Sequence, residues 1–408
     1  MNPDTIKTFS TWCRQVSAAA STSGITQLRT SFGILIFGLA AVAAICAAVL
    51  FLYFRCDAKV RSATPRYFLA MVVCLLTSSL AGIFGYSAYM QALSNYYLAS
   101  GDYSSPDDFR HIGVNFYWFS MFAPVYPWFA VLNCSAKLIV LHLFFTTFLG
   151  TSNDLLPAAS TATHRAFTAV LAVVALLFCG SIVAWSVSSS HAAAASSFFQ
   201  IAALNATDKS AIRHATDRFN SLNEAQAVGN HFETTYLCLI SVTYFIVGFL
   251  AARRLHRHMD LLENAPSSPA ARGTIKGTMG QRRYIIGAAL ISLKRSDSVV
   301  FSTSLVIFIS NIVNAIYAII YSIASAGTYT TSSEQCLSLC DPACQSPAAI
   351  LNHVLRLTPA LTSAVLLFSL VLAPLVALFN VMRGKIWYML MNRSLPMTLP
   401  CMHIERQL

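Results

Sequence analysis

The chain has 408 residues, of which 56% are hydrophobic and only 11% charged, with a formal net charge of +11. Globular domains carry about 25% charged residues, so this composition excludes an ordinary soluble domain and points to the membrane class. The basic excess lies beside apolar stretches, where Lys and Arg meet anionic headgroups, and that placement argues against nucleic acid as a partner.

The first thirty residues lack a basic stretch followed by an apolar run and a small-residue cleavage site, so the first apolar segment reads as a retained span. No Asp, Glu, Lys or Arg occurs between Arg29 and Arg55, between Arg66 and Asp102, or between Arg356 and Arg383. About 20 such residues cross a bilayer as a helix. The pattern predicts seven spans, at about 31–54, 67–92, 113–149, 166–188, 234–252, 298–325 and 350–381. The expected fold is an all-α polytopic membrane helix bundle of seven transmembrane helices. It comprises an N-terminal segment 1–30, a membrane domain 31–381 and a tail 382–408 with an amphipathic stretch at 383–391.

The third span is too long to be simple, because residues 114–150 would measure about 55 Å as a helix against a hydrocarbon core of about 30 Å. Pro124 and Pro127 interrupt it among aromatic residues, which predicts a kink or an interfacial entry segment, with a re-entrant hairpin as the alternative. Residues 189–233 are polar and too short for a core of their own, so they read as a loop with one short exposed helix between 208 and 230. Residues 263–280, rich in Pro, Ser and Gly, read as a linker, and the apolar run 284–290 is too short to cross. Pro359 and Pro374 interrupt the last span, where neighbouring helices and local polar groups can take up the freed backbone.

Orientation follows from the loops. With the N-terminus outside and the C-terminus cytoplasmic, eighteen Lys and Arg fall on the inner side and seven on the outer side, which also holds ten acidic residues. The sequon Asn205-Ala206-Thr207 then lies outside, as a glycosylation candidate at Asn205. Cys336, Cys340 and Cys344 form an external cluster, where an oxidising compartment favours a disulfide over a metal site. The basic inner segment 253–297 suits anionic lipid and a cytoplasmic signalling partner.

Polar groups inside spans are costly and mark functional candidates. Asn133 and Lys137 share a helix face, and His142 lies beyond them on the same span. No Asp or Glu falls within the spans as drawn, so Lys137 has no charged partner at its depth; a snorkelling Lys137 near the cytoplasmic interface is the simpler expectation. Ser310, Asn311, Asn314, Tyr317 and Tyr321 form a stripe along the sixth span, by default a packing seam and otherwise part of a ligand or ion site. His353 and Arg356 place a positive charge near the outer end of the seventh. The candidate ligand set is thus Asn133, Lys137, His142, Asn311, Asn314, Tyr317, His353 and Arg356. Common hydrolase, metalloprotease and phosphate-loop motifs are missing, His256 and His258 belong to a basic juxtamembrane face, and no catalytic residue, metal or cofactor is expected.

Seven spans, an external N-terminus, a long third span and a basic third inner loop resemble the layout of serpentine receptors that couple to G proteins. The resemblance is topological, since the third span ends Phe144-Phe145-Thr146-Thr147-Phe148 rather than in Asp-Arg-Tyr, and neither Cys-Trp-x-Pro nor Asn-Pro-x-x-Tyr follows. It implies a receptor-like signalling protein. The alternatives are a transporter lined by the same polar groups, and a scaffold in which the polar stripes are only packing.

Overall fold

The computed structural model describes residues 25–55, 66–98, 106–149, 160–204, 209–264, 298–320, 359–376 and 379, and every described element is helical. The glycosylation candidate Asn205, the cysteines Cys336, Cys340 and Cys344, and His353 and Arg356 lie outside the described residues, as do 265–297 and the tail from 380. The helices are α1 (Ile25–Arg55), α2 (Arg66–Leu98), α3 (Pro106–Phe122), α4 (Val125–Phe144), α5 (Thr161–Leu204), α6 (Lys209–Asn264), α7 (Ser298–Ile320) and α8 (Pro359–Leu366). A π-helical turn extends α4 over Phe145–Leu149, and another extends α8 over Leu367–Leu372.

Six of these segments are long and apolar enough to cross a membrane, counting α3 and α4 as one, so this is a multi-pass membrane protein with a helical bundle. The described part of α8 supplies a shorter apolar helix, Ser363–Val376. The outward faces carry large apolar side chains, Phe37, Leu176, Val183, Phe245 and Phe301 among them, as lipid contact requires. Hydroxyls within the helices are hidden by donation to their own backbone, as Ser135 does to Val131 O (2.8 Å) and Ser241 to Leu237 O (2.7 Å).

Helix α1 shows how sequence becomes packing. Its buried residues Leu28, Phe32, Leu35, Leu39, Val42, Cys46 and Val49 alternate in steps of four and three, the period of a left-handed helix seam, and α2 and α8 cover that stripe.

The long third span is kinked, not re-entrant. Asn115 Nδ2 on α3 donates to Ala92 O of α2 (2.6 Å), Phe122 rests on Tyr89, and Ser78 Oγ donates to Phe129 O on α4 (3.0 Å). As the chain advances through α3 and α4 its partners recede steadily along α2, so both halves run one way. The break has a cause. Pro124 has no N–H for the carbonyl of Ser120 four residues back, and Ser189 Oγ of α5 takes that carbonyl instead at 2.8 Å.

Residues 189–233 are not a loop with one short helix. Residues 189–204 continue α5 and residues 209–233 belong to α6, and these helices, at 44 and 56 residues, measure about 66 and 84 Å and must project well beyond a bilayer. No proline interrupts them, and against α3 they close a small core of Phe109, Phe199, Ala202, Ala211 and Ala215. The opposite end of the bundle gathers Arg55, Arg66, Arg165, Arg253 and Arg254, whose Nη1 donates to Leu149 O (2.9 Å).

Candidate functional site

Two polar assemblies occupy the bundle interior. The deeper one is built on a defect in α8. Pro374 lacks an N–H, so the carbonyl of Leu370 loses its ordinary helical donor; in the adjoining π turn, where Ala373 N–H reaches back to Phe368 O, the carbonyl of Ser369 would also look to residue 374. Side chains from other helices take up both. Asn133 Nδ2 on α4 donates to Leu370 O (3.1 Å), while Ser310 Oγ on α7 (3.1 Å) and Lys137 Nζ on α4 (3.4 Å) donate to Ser369 O. Lys137 Nζ also donates to Asn311 Oδ1 on α7 at 2.8 Å, and Tyr244 OH on α6 donates to the backbone carbonyl of Lys137.

This overturns the snorkelling expectation for Lys137. Its side chain is 2% exposed, and it turns inward to an amide and a carbonyl rather than towards either end of the bundle. The absence of a carboxylate at its depth does not drive it outward, because Pro374 frees carbonyls that serve as acceptors.

The second assembly is a small cleft of about 60 Å³, nearer the end from which α5 and α6 project, lined from α2 to α8. One side is aromatic: Tyr89 and Phe122 lie 4.8 Å apart between ring centres, Phe122 and Tyr126 5.2 Å, and Tyr126 and Trp185 4.8 Å. Tyr86 stands edge-on to Phe129 behind them. The other side is polar, with Gln226, Asn230 and Glu233 on α6 and Asn314 and Tyr317 on α7. Tyr126 OH donates to Glu233 Oε1 (3.0 Å).

Local sequence explains the shape. Gly229 lets the indole of Trp185 lie on the α6 backbone, since a Cβ there would stand 2.8 Å from Trp185 Cδ1 and Nε1. Gln226, Asn230 and Glu233 recur at steps of four and three, so they share one face of α6. Among the described residues, Trp185 Nε1, Asn230 Nδ2 and Tyr86 OH are buried in the cleft wall without a hydrogen-bond partner. Buried donors are nearly always satisfied, and here three converge on one cleft with no acceptor among the described residues; Asn311 Nδ2 and Tyr236 OH are unpartnered elsewhere in the interior.

Of the residues singled out from sequence, the structure joins Asn133, Lys137 and Asn311 in the deep assembly and places Asn314 and Tyr317 on the cleft. One helical face of α7 therefore serves both. His142 belongs to neither: it stacks on Phe167 and neighbours Tyr67 at the arginine-rich end. Glu233, Asn230, Gln226, Trp185, Tyr126 and Tyr86 are the residues that sequence reasoning missed. Glu233 fell one residue outside the fifth span as drawn, which hid a carboxyl group that is 3% exposed. The recurrence at 226, 230 and 233 is the available signal, on a segment whose polarity suggests a loop.

No family model, curated protein or solved structure matches the chain.

Proposed function

We propose that the protein is a receptor-like signalling membrane protein, with its N-terminus outside and its C-terminus cytoplasmic, that takes a small ligand in the cleft. The observation that carries this is the cleft itself, where an aromatic wall faces a polar one and three buried donors await acceptors. Output passes through the assembly below. Asn314 and Tyr317 touch the cleft, Ser310 and Asn311 on the same helix hold Lys137 and Ser369 O, and a ligand that favours one tilt of α7 thereby shifts its grip on α4 and α8. The basic segment 253–297, which α6 enters through Arg253, Arg254 and Arg257, meets anionic lipid and a cytoplasmic partner.

A second reading, a solute or ion transporter, is favoured by the broken α8, because freed carbonyls near the middle of a membrane are a common way to build a transport site. Purified protein in liposomes separates the two. A receptor leaves the leak of small cations, anions and neutral solutes at the level of empty vesicles, whereas saturable flux abolished by Lys137→Met replaces the receptor with a transporter.

A further inference from the structure

We infer that the ligand of the cleft is an organic cation: an ammonium group on a flat apolar body that also carries an oxygen acceptor. The inference rests on the reading of the cleft as a ligand site and adds the chemistry that the site selects.

Charge comes first. Glu233 is buried among the lining residues, and none of the described ones is Lys, Arg or His. It accepts a hydrogen bond from the neutral Tyr126 OH. A buried carboxylate with no cationic partner among the described residues is costly, and an arriving ammonium supplies that partner, whereas an anion would add like charge. The aromatic wall acts in the same sense. Faces of Tyr and Trp attract cations within about 6 Å of the ring centre, and the rings of Tyr126 and Trp185 adjoin at 4.8 Å beside the carboxyl group that Tyr126 holds.

The ligand is not a bare cation, because the three unpartnered groups, Trp185 Nε1, Asn230 Nδ2 and Tyr86 OH, call for acceptors. A hydroxyl, carbonyl or ester oxygen on the ligand meets them, and the flat body fills the space beside Phe122 and Tyr89. A free amine and the choline headgroup of a lipid share this chemistry.

Tyramine, the neutral tyrosol of the same skeleton, and the anion 3-(4-hydroxyphenyl)propanoate test the inference on the full-length protein in phosphatidylglycerol nanodiscs, by equilibrium binding. Tyramine is expected to bind at least about tenfold more tightly than either control, and Glu233→Gln to remove that preference while changing tyrosol affinity less than about twofold. Trp185→Leu is expected to weaken tyramine and tyrosol together. Repeating the titration with phosphatidylcholine present distinguishes the sources: lowered apparent affinity assigns the cage to a lipid headgroup, and unchanged affinity assigns it to a free amine. Equal binding of tyramine and tyrosol, tighter binding of the anion, or no saturable binding of any of the three overturns the inference; the first two outcomes leave the cleft a ligand site. The wild-type comparison needs no variant to fold, and the flux measurement judges the receptor reading independently.

Discussion

The deep assembly and the cleft are both polar, both buried and both built partly on α7, and both leave a polar atom over, Asn311 Nδ2 and Asn133 Oδ1 in the first; they differ in whether the groups they are built around meet a partner. Around Ser369 and Leu370 a proline has released acceptors, and Asn133, Lys137 and Ser310 on other helices supply the donors. Around Trp185, Asn230 and Tyr86 the donors are present and no described residue brings an acceptor. In an apolar medium either surplus is expensive, so its resolution separates a group that locks helices together from a group that waits for another molecule. Polarity within a span says that something is paid for; only the partner tells what.

The largest effect that would break this comparison lies at Asn311. Asn311→Leu leaves Lys137 Nζ with only the 3.4 Å contact to Ser369 O, and stranding a buried charge in this way costs about 3–5 kcal/mol. Lys137→Met in the same chain removes the stranded group, so the double variant should regain most of the lost stability. Thermal unfolding of the four proteins in detergent measures the cycle. Additive losses would show that the two side chains do not hold each other, and the lock would dissolve as an explanation.

Gly229→Ala comes next and acts on the cleft. The new methyl group meets the indole ring of Trp185 at 2.8 Å, and neither the α6 backbone nor a ring packed against Tyr126 gives way freely, so a loss of about 1–3 kcal/mol is expected. The same change should shift the tryptophan emission and weaken tyramine binding. Unchanged emission and affinity would mean that the close approach does not shape the site.

Much of the bundle was legible because membrane crossing depends on simple properties. The charge-free runs that begin at Arg29 and Arg66 became α1 and α2 with little change, and the aromatic run with Pro124 and Pro127 became a kink. What was illegible depended on atoms distant in sequence. The sequence around Lys137 suggests snorkelling because no carboxylate shares its depth, whereas its acceptors lie on residues 311 and 369, one of them a backbone carbonyl whose availability depends on Pro374. Glu233 is hidden from sequence for a different reason: it lies just beyond the hydropathy boundary of the fifth span, and the helix does not end there. The α6 helix runs 24 residues before residue 233, because helical backbone needs no lipid and α3 and α5 give its projecting part apolar cover.

A smaller effect sharpens the role of Pro374. Asn133→Leu withdraws the donor from Leu370 O and should cost about 1–2 kcal/mol. In a Pro374→Ala background the restored N–H can serve Leu370 O within the helix, so the cost of Asn133→Leu should fall towards zero. Equal costs in the two backgrounds, measured by the same unfolding assay, would separate the asparagine from the proline and remove the proposed origin of the deep assembly.

The smallest expected effect is the most direct test of the contrast. Asn230→Leu is a substitution of the same kind as Asn133→Leu, on a side chain of similar burial, 5% against 2% exposed. Its Nδ2 has no partner to lose among the described residues, so without ligand the change should fall within about 0.5 kcal/mol of neutral, relief of an unmet donor offsetting the lost polar group. Ligand binding is where this variant should show, because the acceptor oxygen of tyramine then loses one of the donors it was recruited to meet. If Asn230→Leu instead destabilises the unliganded protein as much as Asn133→Leu does, the Asn230 amide is already satisfied within the bundle. The cleft would then be a second lock rather than a site.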